Sequence, residues 1–145
     1  MISRTAKSLW ARPLTLDEIQ RRYLGGCDRR LGVELTGIGP DWIEGRVPTT
    51  KRTRDPQGDN YGAAIAVLAE ALGSIAANLC LADDERGVGQ SLEVHHFLSV
   101  KSGPILGRAS PVSITGRTHV SRIDLRDNAQ TLVSTASLSM AILRP

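Results

Sequence analysis

The longest feature of the hydrophobic pattern is a run of apolar and small residues from Gly62 to Ala82. The run is rich in alanine and contains no proline, a composition that favours a helix, and at the usual rise per residue this helix is roughly 30 Å long. A helix that is apolar nearly all round is buried in a protein or spans a membrane. Its many Ala and Gly residues, with Glu70 in mid-span, make insertion into lipid unfavourable. The pattern therefore predicts a buried core helix.

Shorter patterns predict the remaining elements. Thr15 and Glu18 fit a capping box, and apolar residues at helical spacing after it predict a short helix over about 15–25 that ends at Gly25-Gly26. Polar, turn-forming residues at 49–61 predict a loop before the long helix. Runs of strand-forming residues between turn sequences predict six strands, at 31–38, 42–48, 88–100, 104–114, 119–126 and 131–143.

This order of elements indicates an α+β fold, in which an antiparallel sheet wraps around a long central helix at about 62–82 and a short helix precedes the sheet. One sheet covers only one side of the helix, so we expect self-association as a dimer or a dimer of dimers. The 145 residues are enough for one domain over 1–145, with residues 1–14 as a candidate for a poorly ordered extension.

The composition indicates an ordinary globular protein, with 41% hydrophobic and 23% charged residues. The net charge of +3 has no accompanying stripe of basic and aromatic residues, so nucleic acid is not an expected partner, whereas a small polyanion suits this charge. The densest basic run, Lys51, Arg52 and Arg54, is interpreted as a solvated loop.

The cysteines and the N-terminus bear on location. Cys27 and Cys80 lie far apart without CxxC spacing, which is typical of reduced thiols in a cytoplasmic protein. The basic residues before the first acid, Asp17, leave a transit peptide as an alternative. No metal-ligand spacing is present, so no metal is expected.

The strongly polar side chains of the central helix are Glu70, Ser74 and Asn78, spaced so that they line one face. An ionised glutamate in an apolar helix is costly unless it is paired or hydrated. We therefore expect this polar stripe to face a cleft or a partner chain. The pattern leaves a catalytic site and a polar dimer seam both open.

The start of the same helix offers a second chemical group. Free N–H groups and the positive end of the helix dipole point outward there, and Gly62 lets a ligand approach the backbone closely. Such an N-terminus can stabilise an oxyanion. Gly62 lies about two turns before Glu70, so the helix carries both an amide that polarises a carbonyl and a carboxylate.

Several motifs together resemble the hotdog thioesterases of the PaaI-like group, in the branch near the 1,4-dihydroxy-2-naphthoyl-CoA and 4-hydroxybenzoyl-CoA thioesterases. The resemblance covers about residues 42–143 and implies a hotdog fold that hydrolyses an acyl-CoA or aroyl-CoA thioester, with coenzyme A as part of the substrate and no other cofactor. The matching segments are Thr53-Arg54-Asp55-Pro56, Gly62, 68–76, Gly89, His95-His96, Gly116-Arg117-Thr118-His119 and 139–143.

The resemblance also implies roles for individual residues. Glu70 is the implied nucleophile or general base, Gly62 the oxyanion donor, and Ser74 the residue that positions Glu70 or the water. The implied or expected substrate-binding residues are His96 at the acyl pocket, Arg117 and Thr118 at the nucleotide or pantetheine, and Asn78 at the end of the polar stripe. Plain turn residues at 117–118, and a core or surface histidine at 96, remain open alternatives.

The chain departs from the family pattern at three positions. Tyr61 replaces the histidine of a His-Gly-Gly motif, Asp55 replaces a glutamine, and Leu98 replaces an arginine. A tyrosine hydroxyl can still donate a hydrogen bond, whereas Asp55 is an acceptor only and would raise a carboxyl pKa if it lay near Glu70. The alternative function is therefore a catalytically weak or inactive hotdog protein that binds acyl-CoA or a partner.

Overall fold

The computed structural model describes residues 7–145 as two short helices, six strands and one long helix. All strand pairs are antiparallel, and the sheet order is β1-β2-β4-β5-β6-β3. This architecture confirms the predicted α+β class with a long central helix. The elements are α1 (Leu16–Tyr23), α2 (Gly26–Leu31), β1 (Glu34–Ile38), β2 (Ile43–Val47), α3 (Gly62–Leu79), β3 (Arg86–His96), β4 (Ile105–Ile114), β5 (Thr118–Arg126) and β6 (Leu132–Leu143).

Helix α3 packs on the sheet at close range because glycines leave room for it. Gly45 and Gly107 face each other across β2 and β4, and Leu72 of α3 lies over both. A Cβ atom at Gly107 would lie 2.7 Å from Leu72 Cδ1, and one at Gly45 would lie 3.0 Å from Leu72 Cδ2. On the helix itself, a Cβ atom at Gly73 would lie 2.8 Å from Leu138 Cδ2. These contacts place α3 in the hydrophobic core.

Helix α3 is long and apolar enough to cross a membrane by length and composition alone, with a mean hydropathy of 1.6 over its 18 residues. However, 61% of this helix is buried inside the fold. A buried helix of this kind is typical of the core of a globular protein.

Helix α2 was not predicted. Gly25-Gly26, interpreted as a helix stop, instead begins α2, and the carboxylate of Asp28 accepts a hydrogen bond from the Gly25 amide at 3.4 Å. Gly32 then ends α2 with a left-handed φ of 81°. The first strand consequently starts at Glu34 and not at residue 31.

The predicted strands β2, β4, β5 and β6 differ from the structure by a single residue at one or both ends, and other boundaries differ by more. Helix α1 ends at Tyr23, and α3 ends at Leu79 rather than Ala82. Strand β3 runs from residue 86 to 96 and not from 88 to 100. It ends early because the next two amides, of Phe97 and Leu98, both donate to the Val133 carbonyl, which breaks the strand register.

The segment before α1 is attached to the fold by backbone hydrogen bonds. The Leu9 amide donates to the Pro40 carbonyl at 2.8 Å, and the Ala11 amide donates to the Leu79 carbonyl at 2.7 Å. Residues 1–6 lie outside the described residues. The predicted poorly ordered extension over 1–14 therefore lies partly outside them. Arg4, one of the basic residues that leave a transit peptide as an alternative, lies wholly outside them.

The two edges of the sheet differ. At β1, helix α1 packs alongside, and the Gln20 side chain accepts a hydrogen bond from the Leu35 amide at 2.9 Å. At the other edge, β3 is eleven residues long and mostly exposed. Within residues 7–145, no strand pairs with its outer side.

Candidate active site

A cleft of about 280 Å³ lies at the N-terminus of α3. Three of the predicted site residues line it: Asp55 from the preceding loop, Gly62 from the helix and His96 from the end of β3. The remaining lining residues are Asp59, Asn60, Ile65, Phe97, Leu98 and Ser99. The fold thus gathers a backbone amide, a carboxylate and an imidazole around one opening.

Asp55 is used to shape the loop that borders this cleft. Its Oδ1 atom accepts hydrogen bonds from the amides of Gln57 at 2.9 Å and Asp59 at 3.0 Å. Its own amide donates to the Asp59 carbonyl at 2.9 Å, and Gly58 provides the left-handed φ of 89° that the turn requires. An acceptor-only carboxylate suits this position, which gives a structural reason for an aspartate there.

The first turn of α3 presents backbone amides to the cleft. Tyr61 is the N-cap residue in an extended conformation, and its carbonyl accepts from the amides of Ala64 and Ile65. The amides of Gly62 and Ala63 precede any possible acceptor within the helix. The Tyr61 side chain makes no capping bond and is 50% exposed. Gly62 lines the cleft, so a ligand oxygen can accept a hydrogen bond from its free amide.

The imidazole of His96 lies directly beside Gly62. Its Nδ1 atom is 2.8 Å from Oγ of Ser134, a fully buried residue of β6. Its Nε2 atom lies 3.0 Å from the position that a Cβ atom would take at Gly62. Sequence reasoning missed Ser134, although it is the one hydroxyl residue in the inward-facing series that continues with Ala136, Leu138 and Met140. The alternation of inward-facing residues along β6 could have indicated that Ser134 is a buried hydroxyl.

Glu70 lies outside the lining of this cleft, on the exposed side of α3. Its carboxylate faces the backbone of β3, with Oε1 3.6 Å from the position of a Cβ atom at Gly89. The pKa of Glu70 is raised, mainly because neighbouring protein atoms displace water from the carboxylate, and also because Asp28 places a second negative charge nearby. Burial likewise raises the pKa of Asp28.

Two expectations change as a result. The like charge that acts on Glu70 belongs to Asp28 of α2 and not to Asp55. In addition, the eight residues from Gly62 to Glu70 correspond to about 12 Å along the helix axis. Within one chain, the amide and the carboxylate therefore do not face the same cleft.

The other members of the polar stripe are half-buried. Asn78 connects α3 to β3, because its Nδ2 donates to the Ser74 carbonyl at 2.9 Å and its Oδ1 accepts from the Gly87 amide at 3.1 Å. Ser74 lies one helical turn after Glu70. The structure places both residues along the C-terminal half of α3, away from the lining of the cleft.

Arg117 and Thr118 lie at the turn between β4 and β5. The Arg117 carbonyl accepts from the Ile142 amide at 2.9 Å, and the Thr118 carbonyl accepts from the Thr115 amide at 3.1 Å. The Arg117 side chain is exposed. Within one chain, neither residue lines the cleft.

Neither cysteine lines the cleft. Cys27 and Cys80 are free thiols, and burial raises the pKa of Cys80 to about 11. Across residues 7–145, no three His, Cys, Asp or Glu side chains are grouped so as to hold a metal ion.

Comparison with known proteins identifies the family. A family model described as the thioesterase superfamily matches residues 57–134. Over 135 residues, the chain is 31% identical to the 1,4-dihydroxy-2-naphthoyl-CoA hydrolase of Escherichia coli, with 93% of this chain and 99% of that protein covered. This chain belongs to the thioesterase superfamily. Another member, the proofreading thioesterase EntH of Cronobacter turicensis, is also 31% identical, with coverage of 93% and 98%.

Solved structures of other superfamily members confirm the hotdog fold. A thioesterase from Haemophilus influenzae superposes with a TM-score of 0.90 at 31% identity, covering 94% of this chain and 95% of that one. A mutant thioesterase from Pseudomonas aeruginosa superposes with a TM-score of 0.91 at 27% identity, covering 95% and 100%. The resemblance drawn from the sequence motifs is therefore confirmed at the level of family and fold.

Proposed function

We propose that this protein hydrolyses acyl-CoA or aroyl-CoA thioesters to a free acid and coenzyme A. The observation that carries the proposal is the cleft at the N-terminus of α3, which Gly62 lines with an amide that has no acceptor within the helix. The names of the two relatives, both thioester-cleaving enzymes, support it. Ile65 and Phe97 give the cleft an apolar part for the acyl group.

In the proposed reaction, the Gly62 amide donates to the thioester carbonyl oxygen as negative charge develops on it. Glu70 either attacks the carbonyl carbon or removes a proton from the attacking water. The C–S bond then breaks, and the coenzyme A thiolate takes up a proton. When water is the attacking group, this step releases the free acid directly. When Glu70 attacks, it leaves a mixed anhydride between Glu70 and the acyl group, which a water molecule then hydrolyses to the free acid and the Glu70 carboxylate. The pKa of Glu70 is raised by burial, which makes its carboxylate a stronger base than an ordinary glutamate.

The reaction requires Glu70 and Gly62 to meet at one carbonyl group, and we propose that a dimer brings them together. The outer edge of β3 is long and unpaired within residues 7–145, and such edges readily pair with another strand. Two copies related by a two-fold axis would pair their β3 strands antiparallel.

This pairing reverses the two ends of β3 relative to each other. The Glu70 carboxylate lies beside Gly89 of β3. Within one chain, Gly89 is seven residues, or about 23 Å, from His96. Ser91 is the middle residue of β3. If the two-fold axis passes beside Ser91, the partner's Gly89 lies opposite Glu93, three residues from His96. The proposed active site therefore combines the cleft of one subunit with Glu70 of the partner subunit.

The same arrangement supports roles for the other predicted residues. Thr118 pairs with Ala141, which pairs with Val88 near the start of β3, so the partner's 117–118 turn approaches the cleft together with its Glu70. We propose that Arg117 and Thr118 bind the nucleotide or pantetheine part of coenzyme A. Ser74, one turn from Glu70, positions the carboxylate or the water.

Location is part of the proposal. Free thiols at both cysteines and a coenzyme A substrate fit a cytoplasmic enzyme.

Thiol release from a panel of benzoyl-CoA, 4-hydroxybenzoyl-CoA and hexanoyl-CoA tests this function. We expect release with at least one of them and its loss in Glu70→Gln and Glu70→Ala. Glu34→Gln, which changes an exposed glutamate on β1 that is paired with Arg46, is the matched control and should keep full turnover. Wild-type turnover in Glu70→Gln would overturn the assignment of Glu70.

A second candidate, binding of acyl-CoA without hydrolysis, is motivated by Tyr61. Its side chain is half exposed, makes no capping bond and carries a phenol where the family motif has an imidazole. Measurable binding of all three thioesters without thiol release would favour this function. Turnover gained by Tyr61→His would then show that only the missing imidazole separates the two functions.

A further inference from the structure

We infer that His96 donates a hydrogen bond from Nε2 to the thioester carbonyl oxygen, as the second donor beside the Gly62 amide. The inference rests on the proposed hydrolysis and assigns His96 to the reacting group, whereas the sequence placed it at the acyl pocket. Three observations carry it: the orientation of the ring, its anchoring by Ser134, and the position of Tyr61.

The Nε2 atom is the part of the His96 ring nearest to the first residue of α3. From the position of a Cβ atom at Gly62, Nε2 is 3.0 Å away, while the adjacent ring carbons Cδ2 and Cε1 are each 3.5 Å away. This symmetric spacing places the Nε2 tip toward the glycine. A side chain at position 62 would fill the gap between them, so only glycine leaves space there for a carbonyl oxygen.

Ser134 holds the imidazole in this orientation. Its Oγ atom is 2.8 Å from Nδ1, and Ser134 is fully buried in β6. When the hydroxyl donates to Nδ1, the ring proton resides on Nε2, and Nε2 is the donor that faces the cleft. Ser134 is therefore a positioning residue that acts through His96.

The location of Tyr61 explains why such a donor is needed. Its side chain is 50% exposed and makes no capping bond at the start of α3. A second donor at the carbonyl oxygen must then come from another element. His96 supplies it from the end of β3, and the two N–H groups stabilise the charge that forms when the carbonyl carbon is attacked.

Steady-state kinetics with benzoyl-CoA test the role. Loss of one oxyanion donor lowers kcat by about 10²- to 10³-fold, so we expect a fall of this size in His96→Ala with little change in KM. His96→Gln should recover part of the loss, because its amide can donate from a similar position. Ser134→Ala should give a smaller fall in kcat, since it only releases the ring.

The neighbouring His95 is the matched control. It is exposed, pairs with Glu93, and points to the opposite face of β3, so His95→Ala should keep the wild-type kcat. A raised KM with unchanged kcat in His96→Ala would show a histidine that only lines the acyl pocket, and would overturn the inference while leaving hydrolysis intact.

Infrared spectroscopy tests the same contact without turnover. Benzoyl-CoA labelled with ¹³C at the carbonyl is bound to the Glu70→Gln variant, and we expect its carbonyl band at lower frequency than in water. Adding His96→Ala should return the band toward the free value; an unchanged band would refute the inference. A lowered band that depends on His96, in a protein that releases no thiol, would support the contact and reject the proposed hydrolysis. No binding and no hydrolysis would reject both.

Discussion

Glu70 shows how a single side chain can depend on an element that the sequence did not predict. Its carboxylate lies between α3 and the backbone of β3, and its pKa is raised by the displacement of water and by the charge of Asp28. Asp28 belongs to α2, where it also accepts a hydrogen bond from Gly25. The helix α2 thus contributes to the chemistry of the proposed carboxylate.

Removing the charge at Asp28 should move the pH profile. Activity requires ionised Glu70, so kcat/KM falls as pH falls through the pKa of Glu70. Asp28→Asn removes a like charge, which lowers this pKa and moves the acidic limb of kcat/KM to lower pH. The acidic limb should still lie at higher pH than for an unperturbed glutamate, because displacement of water, which remains in the variant, is the larger cause of the raised Glu70 pKa.

The control for this profile is Asp41→Asn, which removes an exposed carboxylate that is not among the charges acting on Glu70. It should leave the acidic limb in place. An acidic limb that moved to higher pH in Asp28→Asn, or moved equally in both variants, would contradict the assignment of the charge.

At the residue scale, sequence reasoning selected Glu70 and Gly62 as candidate site residues because each is conspicuous in an apolar helix. It placed both at one site because they share that helix, and it considered Asp55 as the charge near Glu70. The structure separates the two groups, uses Asp55 in the loop and brings in Asp28. Spacing along a helix gives distance along its axis, but not which cleft each side chain enters.

At the scale of elements, the close packing of α3 depends on small residues. Gly73 faces β5 and β6, where an added Cβ atom would lie 2.8 Å from Leu138 Cδ2 and 3.2 Å from Ile123 Cδ1. Alanine is the better helix former by about 1 kcal/mol. The crowding therefore has to outweigh a favourable change in helix propensity.

We expect Gly73→Ala to lower the free energy of unfolding by about 1–2 kcal/mol, because overpacking a core costs about 1–3 kcal/mol. Urea unfolding with an unchanged m value is the measurement. Gly116→Ala is the control, since a Cβ atom there would meet no neighbour within 4 Å. A stability equal to or above the wild type in Gly73→Ala would contradict the packing described for α3.

The long helix and the strands after it were predictable because each has a strong period or a clear turn. Helix α2 was not, because six residues are too few for a period and Gly25-Gly26 is more typical of a helix end. The end of β3 was also not predictable. It depends on two amides that share the Val133 carbonyl, a contact between distant parts of the chain.

At the scale of the whole molecule, the unequal sheet edges indicate how two copies assemble. Helix α1 covers β1, whereas β3 is left open. We therefore expect a mass in solution of twice the 15.6 kDa chain, or four times the chain mass for a dimer of dimers, measured by light scattering. Amides of β3 should exchange hydrogen slowly in the dimer and faster on dilution, while those of β1 should not respond. A monomer with fast exchange throughout β3 would contradict the proposed assembly.

The central claim is that one thioester is cleaved between Gly62 of one subunit and Glu70 of the partner subunit. Gly62→Pro removes the amide proton at the first helical position, where proline is tolerated, and Tyr61 already has the extended conformation that precedes proline. Gly62→Pro and Glu70→Gln should each be inactive alone, because every site in either dimer lacks one group.

Mixing these two variants under conditions that exchange subunits is the most direct test. Each mixed dimer contains one site with both groups intact, and mixed dimers form about half of the population, so thiol release should recover to about one quarter of the wild-type value. A mixture that exchanges subunits and stays inactive would contradict the claim, because it would mean that Gly62 and Glu70 must come from the same chain.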